Sequence, residues 1–180
     1  MTTSKRRFAI FIGKFSKCFH LAHQSIVDKI REDGLEPILL IGSAQYYNTK
    51  SCPLKVQDRI TMIKLVNPNI RMFTIEDKDC WVEWHESLVN IITSEVTPNL
   101  DEVTIYTHNK PEDIHSHFNF KGKDYYNDYY SKIFEVEGLH CTNLNLSGIP
   151  IRGTDVHNNL EGNKHYLDEL VYTFLKDLND

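Results

Sequence analysis

The sequence predicts an α/β fold: a doubly wound parallel sheet of about five strands, with helices on both faces and a C-terminal helix. Short continuous apolar runs at residues 8–12 and 37–41 are typical of strands that are buried on both faces. Between them, residues 21–33 carry apolar side chains at helical spacing, and Gly34 is placed to end that helix. Strand, helix and strand in this order form a βαβ unit, which is right-handed by default.

The rest of the chain continues the same alternation of strands and helices. We predict helices at 56–66 and 81–92, strands at 70–76, 102–107 and 132–136, an extended segment at 140–146, and one last helix at 159–180. The residues of that last helix expected to face inward are Leu167, Leu170, Val171, Phe174 and Leu175. Residues 112–123, which include His115 and His117, are predicted to form a loop rather than a metal site.

Composition limits the classes of function and partner. A net charge of −5 gives no general attraction for nucleic acid or membrane, so we expect neither as a partner. At 180 residues, the chain is most simply one domain, 1–180. Its four cysteines form no C-x-x-C pair and read as free thiols in a reducing compartment, and no apolar run is long enough to span a membrane. We therefore expect a cytoplasmic protein.

The stretch at residues 8–23 carries the first chemical signal. Gly13 interrupts the first apolar run, a basic loop follows, and His20 and His23 stand three apart at the start of the first helix. Residues three apart share a helix face, and a helix N-terminus offers unpaired N–H groups to a phosphate. This stretch therefore predicts a phosphate-facing turn. The alternative is a histidine near the helix cap followed by a packed one, and the two histidines alone do not decide between them.

The pattern Gly-Lys-Phe-x-x-x-x-His-x-x-His resembles the first signature of the nucleotidyltransferase superfamily, written HxGH. Ala22 stands where that family has glycine. The resemblance implies a Rossmann-like fold in which His20, His23 and Lys14 stabilise adenylyl transfer. It also implies that the same turn binds ATP through Gly13, Lys14, Phe15, His20 and His23.

The middle of the chain resembles the archaeal-type nicotinamide mononucleotide adenylyltransferases. The resemblance lies in the Gly-Ser-Ala-Gln turn at 42–45, the polar loop after it, and the helix that begins near Asp58 and Arg59. It implies that nicotinamide mononucleotide contacts Ser43, Gln45, Arg59, Trp84 and Asn109. Trp84 would stack on the nicotinamide ring, with Trp81 as second choice. The alternatives are a surface ion pair for Arg59 and packing in the core for the tryptophans.

Residues 147–157 resemble the second superfamily signature, I-S-x-T-x-I-R, with Thr154 as the predicted helix N-cap. His157 stands where the family has an arginine that neutralises phosphate, and Arg152 is a second candidate for that charge. The resemblance implies an ATP-binding set of Arg152, Gly153, Thr154 and His157.

The function implied is transfer of AMP from ATP to nicotinamide mononucleotide, giving NAD and pyrophosphate, with Mg²⁺ brought in by ATP. Family members often form oligomers, so a homo-oligomer is a further expectation. Two alternatives stay open. One is an adenylyltransferase for another acceptor, such as pantetheine phosphate or flavin mononucleotide. The other is a nucleotide sensor that has lost turnover, which the departures at Ala22 and His157 would favour.

Overall fold

A computed structural model describes residues 5–108, 118–125, 134–135, 138–144 and 149–180. Its centre is a five-stranded sheet, and every neighbouring pair of strands in it is parallel. The strands are β1 (Phe8–Gly13), β2 (Glu36–Ile41), β3 (Arg71–Thr74), β4 (Val103–His108), β5 (Phe118–Phe120), β6 (Lys123–Tyr125) and β7 (His140–Leu144). The order in the large sheet is β3-β2-β1-β4-β7, whereas β5 and β6 form a separate antiparallel hairpin.

Helices cover both faces of the sheet. They are α1 (Leu21–Glu32), α2 (Val56–Val66), α3 (Trp81–Ile91), α4 (Gly153–Asn158) and α5 (Glu169–Asn179). Alternate strand residues face opposite sides, so Phe11 and Leu39 pack with α1, α2 and α5 while Ile10 and Leu40 pack with α3. The continuous apolar strands are explained by this burial on both faces. The predicted α/β class, with its C-terminal helix, is confirmed.

Strand order determines where a ligand can bind. From β1 the chain crosses through α1 to β2 on one side, and it later returns to β4 on the other side of β1. Connections leave β1 and β4 in opposite directions, which opens a crevice at their carboxyl ends.

Within the described residues, no helix is both long and apolar enough to cross a membrane.

Two predictions in the second half of the chain are wrong. Residues 118–125 form a hairpin instead of continuing the loop, because Lys121 and Gly122 both adopt positive φ (50° and 78°), as a tight hairpin turn requires. Phe134 and Glu135 are helical rather than extended, and Phe134 is buried against the α3 side of the sheet. The rest of the strand predicted at 132–136 lies outside the described residues, as do His115 and His117.

The C-terminal helix is shorter than predicted. Asp168 caps its N-terminus by accepting from the backbone N–H of Leu170 at 2.9 Å, so the helix begins at Glu169 rather than near 159. Val171 and Leu175 are buried as expected, but Leu170 is 54% exposed in the first turn. The extended segment predicted from 140 becomes the edge strand β7, which pairs with β4.

Candidate active site

A cavity of about 920 Å³ opens at the carboxyl ends of β1, β2 and β4. Its described lining comes from the loop after β1, from Gly42 and Ser43 after β2, from residues 77–81 before α3, and from the start of α4. This is the edge of an open α/β sheet at which ligands bind. The loops that carry both sequence signatures therefore meet at one cavity.

In the turn after β1, the ring of Phe15 lies back over the end of the strand. Phe15 has a positive φ of 49°, and its buried ring lies edge-on to Phe11 with 5.5 Å between centroids. A Cβ at Gly13 would come within 2.7 Å of the Phe15 ring. Glycine is therefore required at position 13 because the Phe15 ring covers the end of the strand there. Gly13, Lys14 and Phe15 all line the cavity, where the sequence placed them.

His20 and His23 cap α1 reciprocally. The His23 backbone N–H donates to His20 Nδ1, and the His20 backbone N–H donates to His23 Nδ1, both at 3.3 Å. The two rings stack with their centroids 3.7 Å apart and their planes within 8°. Since each Nδ1 accepts a hydrogen bond, each neutral ring carries its proton on Nε2. His23 lines the cavity, whereas His20 is only 4% exposed and is not part of the described lining.

The second signature reaches the cavity through only two of its predicted residues. Gly153 and Thr154 line the cavity, but Arg152 and His157 are exposed to solvent and outside the described lining. The prediction of Thr154 as N-cap is wrong, since Arg152 occupies the cap position and α4 begins at Gly153, two residues earlier than that prediction implies. The Asp155 carboxylate accepts from the backbone N–H of Arg152 at 3.2 Å, while the Thr154 hydroxyl accepts from the Lys17 ammonium at 2.7 Å.

Arg59 has a structural role in place of the predicted phosphate contact. Its side chain is 0% exposed and donates to the carbonyl oxygens of Leu54 (2.9 Å), Gly42 (3.0 Å) and Tyr46 (2.6 Å). It also donates to the carbonyl of Lys14 at 3.3 Å. Burial lowers the pKa of the guanidinium. Neither a substrate phosphate nor a surface partner such as Asp58 is within reach of a group enclosed in this way, and Arg59 instead joins the loops after β1 and β2.

The turn after β2 supports the wall of the cavity. Ser43, at a φ of 50°, donates from its hydroxyl to the Asp77 carboxylate at 2.9 Å, and Ser43 itself lines the cavity. Gln45 donates to the Asp77 carbonyl at 3.1 Å and accepts from the Asp77 N–H at 3.0 Å. Because both ends of the Gln45 amide bind this backbone and the side chain is not in the described lining, the predicted ligand contact of Gln45 is replaced by a structural one.

Both candidate tryptophans stand at the cavity. Trp81 and Trp84 lie nearly perpendicular, with 6.0 Å between ring centroids, and Trp84 also packs against Phe134 at 6.1 Å. Each is partly buried, so Trp84 contacts the core and still lines the cavity. The alternatives of stacking and packing are therefore compatible for this residue. The remaining candidate, Asn109, lies outside the described residues.

Several lining residues were not predicted from the sequence. They include Cys18, Ser51, Asp77, Lys78, Asp79, Cys80 and Thr107, whereas Ser16 and Lys17 belong to the basic loop of the predicted phosphate-facing turn. The segment 77–80 could have been found, because it follows β3 at the same sheet edge as the predicted turn after β2. The four cysteines are free thiols as predicted, and burial raises the pKa of Cys18 to about 12. Among the described residues, no cluster of three or more His, Cys, Asp or Glu could hold a metal ion.

Comparisons with curated proteins and with solved structures find similarity to adenylyltransferases. It is 32% identical over 117 residues to the nicotinamide-nucleotide adenylyltransferases of Thermoplasma volcanium and Thermoplasma acidophilum. That match covers 61% of this chain but only 60% and 59% of the two relatives. The chain thus spans about three fifths of the length of these curated relatives.

The fold is shared with a bifunctional NMN adenylyltransferase/ADP ribose pyrophosphatase from Francisella tularensis. The TM-score is 0.72 at 18% identity, and the likeness covers 96% of this chain and 49% of that one. The same protein has also been solved with AMP and a manganese ion, and that structure gives a TM-score of 0.70 at 17% identity, with 96% and 49% covered. The profile of the family described as cytidylyltransferase-like matches residues 10–159. Because that match covers most of the sequence, the chain belongs to the cytidylyltransferase-like family, within the nucleotidyltransferase superfamily that its first signature predicts.

Proposed function

We propose that this chain transfers AMP from ATP to nicotinamide mononucleotide, forming NAD and pyrophosphate. The observation that carries the proposal is one cavity, at the carboxyl edge of the sheet, that collects residues from both signatures and the tryptophan pair. His23 and Lys14 stand at one part of its lining, Gly153 and Thr154 at another, and Trp84 at a third. The names of the Thermoplasma relatives support nicotinamide mononucleotide as the acceptor.

The reaction asks for positioning and charge more than for a reactive side chain. A phosphate oxygen of the mononucleotide attacks the α-phosphorus of ATP in line. The bond from that phosphorus to the oxygen bridging it to the β-phosphorus breaks, and pyrophosphate leaves. Negative charge grows on the non-bridging oxygens and on the leaving group, where fixed donors and cations stabilise it. No covalent intermediate with the protein is needed.

The histidine pair fits the stabilisation of that charge. Reciprocal capping fixes each Nδ1 as an acceptor, so Nε2–H of His23 is a donor of fixed orientation at the cavity. His20 stacks on the His23 ring and holds its plane in place. We therefore assign His23 to contact with the reacting phosphate. His20 lies behind the His23 ring and positions it. Lys14, which is exposed on the cavity side of the turn, adds a positive charge.

The remaining residues divide into an ATP side and an acceptor side. Gly13, Phe15, Gly153 and Thr154 complete the ATP side, whereas the exposed Arg152 and His157 are left out of it. On the acceptor side, an indole face of Trp84 suits the cationic pyridinium ring of nicotinamide mononucleotide through a cation–π contact. Ser43 lines the cavity between the two sides, in the turn after β2.

ATP enters as its magnesium complex in this proposal. Mg²⁺ retains several waters and binds chiefly through substrate phosphates, so it needs few protein ligands. This fits a lining in which the described residues form no cluster able to hold a metal by themselves. The Francisella protein has been solved in complex with AMP and a manganese ion, which supports a role for a divalent cation in this proposal.

The test is to mix the purified chain with MgATP and nicotinamide mononucleotide and to measure NAD with alcohol dehydrogenase and ethanol. Pyrophosphate release is measured in parallel, because it reports turnover with any acceptor. We expect both signals with nicotinamide mononucleotide, and both should fall by about 10²-fold or more in His23→Ala. Pyrophosphate released only with pantetheine phosphate or flavin mononucleotide would move the proposal to another acceptor. ATP binding without pyrophosphate release from any acceptor would instead indicate a sensor.

A further inference from the structure

Three lysines belong to the described lining of the cavity, and one of them differs from the other two. Lys14 and Lys78 are exposed, whereas Lys17 is partly buried, and its ammonium donates to the Thr154 hydroxyl at 2.7 Å. Lys17 belongs to the loop after β1, and Thr154 belongs to α4. This hydrogen bond thus links the segments that carry the two sequence signatures.

The backbone around Lys17 is held on both sides. The Ser16 hydroxyl donates to the Ser51 carbonyl at 2.9 Å, and the Ser16 carbonyl accepts from the Leu54 N–H at 3.1 Å. Cys18 on the other side is buried, and a Cβ at Gly153 would lie 3.5 Å from Lys17 Cβ. The Lys17 stem therefore packs on the backbone of α4. A stem anchored at its base and along its side keeps the ammonium at the cavity.

The charge of Lys17 is not balanced by a carboxylate in the described part of the chain. Its hydroxyl partner on Thr154 is neutral, and the ion pairs among the described residues do not include Lys17. Arg152 and His157, the basic side chains of the α4 segment, are exposed and outside the described lining. An ammonium that pairs with no carboxylate of the described residues, beside a cavity proposed for ATP, suits an anionic ligand.

We propose that Lys17 binds the β- and γ-phosphates of ATP and the departing pyrophosphate, and that Thr154 positions it before the nucleotide arrives. This inference rests on the proposed function for the identity of the ligand. His23 lies against Phe15 and Phe19 in the α1 turn, whereas Lys17 reaches away to α4. The two groups are therefore placed to hold different phosphates of ATP, with His23 at the α-phosphate and Lys17 at the β- and γ-phosphates.

The experiment compares binding of inorganic tripolyphosphate with binding of AMP by calorimetry, for the wild type, Lys17→Met and Lys17→Arg. Loss of one charged contact should weaken tripolyphosphate binding about 10-fold in Lys17→Met. Lys17→Arg keeps the charge and should stay within about threefold. AMP affinity should be unchanged in both variants. The control Lys64→Met removes the same charge from the exposed face of α2 and should leave both affinities within about twofold.

Two outcomes would overturn the role of Lys17. In one, Lys17→Met binds tripolyphosphate as the wild type does. In the other, tripolyphosphate and AMP lose affinity by the same factor, which would mean that the substitution has only disturbed the cavity. Melting temperatures of all variants identify any that fails to fold; if Lys17→Met fails, Lys17→Gln, which also removes the charge, takes its place in the comparison with Lys64→Met.

The positioning part is tested with Thr154→Val in a double-mutant cycle. If Thr154 acts by holding Lys17, Thr154→Val should weaken tripolyphosphate binding a few-fold in the wild type and not at all in Lys17→Met. Equal losses in both backgrounds would overturn the positioning role. This binding assay needs no acceptor, so it separates the two proposals. If the wild type makes no NAD but Lys17→Met binds tripolyphosphate more weakly, the proposed function is refuted and the role of Lys17 is supported. If the wild type makes NAD but Lys17→Met keeps its affinity for tripolyphosphate, the proposed function is supported and the role of Lys17 is refuted.

Discussion

The two signature segments meet at one cavity but are built differently. In the segment after β1, Phe15 and His20 are buried and the two histidines cap α1 reciprocally. In the segment at α4, the helix has six residues, and its basic side chains Arg152 and His157 are exposed. The first segment thus presents fixed side chains to the cavity. The second presents backbone at Gly153 and one hydroxyl at Thr154.

The difference has a physical cause in how each segment is anchored. Arg59 enters the carbonyl-rich space between the loops after β1 and β2, so the first segment is tied to the sheet through the Lys14 carbonyl. At α4, the buried contact is Val156, and the described side-chain contact with the first segment is the one from Lys17 to Thr154. We therefore expect the charge for the phosphates to come mainly from the β1 side. The predictions below test that division.

The largest effect is expected from removing the anchor of the first segment. Arg59→Met would leave the carbonyls of Lys14, Gly42 and Tyr46 buried without their donor, and should lower the free energy of unfolding by about 3 kcal/mol or more. Urea denaturation measures it. The control Arg71→Met removes a surface ion pair with Glu36 and should cost about 1 kcal/mol or less. Equal stability of the two variants would contradict the anchoring role.

The histidine pair should show the next largest effect. His23→Ala removes a donor from the cavity and should lower kcat for NAD formation by about 10²- to 10³-fold, and it should lower stability by about 1 kcal/mol because the His20 N–H loses its acceptor. His20→Ala should lower kcat as well, and it should also lower stability by about 1 kcal/mol because the N-cap acceptor is lost. His165→Ala, in the turn before α5, is the control. Near-normal turnover in His23→Ala would remove the pair from the mechanism.

The tryptophans test the acceptor side. Trp84→Ala should weaken binding of nicotinamide mononucleotide by about 1–2 kcal/mol while ATP affinity stays nearly constant. Titration calorimetry with each substrate separates the two affinities. Trp84→Ala also removes packing against Phe134, so a fall in melting temperature is expected beside the loss of affinity. A fall in melting temperature with unchanged affinity would assign Trp84 to packing alone and make Trp81 the next variant.

The fold could be predicted because buried parallel strands and amphipathic helices leave regular patterns in the sequence. The apolar runs of β1 and β2 and the inward residues of α1 were predicted and are confirmed. The hairpin at 118–125 and the helical Phe134 could not be predicted, since a Lys-Gly pair and a short apolar run leave either structure open.

The candidate site was predicted less completely, for a different reason. The family resemblance implied ligand contacts for Arg59 and Gln45, but in the structure both side chains bind backbone groups. Lys17 shows the converse. Its stem meets Gly153 across a separation of 136 residues (153 minus 17), and no local pattern shows such an approach. Spacing can find a loop at the sheet edge, but it does not determine which side chains enter the cavity.

The smallest effect is expected at α4, where the sequence comparison alone would place the largest. His157 occupies the position of the family arginine, yet it is exposed and outside the described lining, as is Arg152. We therefore expect His157→Gln and Arg152→Gln to change the KM for ATP by about twofold or less, as for other exposed charges. The measurement is the KM for ATP at mildly acidic and mildly alkaline pH, since a histidine that bound phosphate would add affinity only when protonated. His157→Arg serves as the matched gain-of-charge variant and should also change little. A several-fold higher KM for ATP in His157→Gln at acidic pH, together with a lower KM in His157→Arg, would show that α4 also supplies charge to the phosphates. The proposed difference between the two segments would then be wrong.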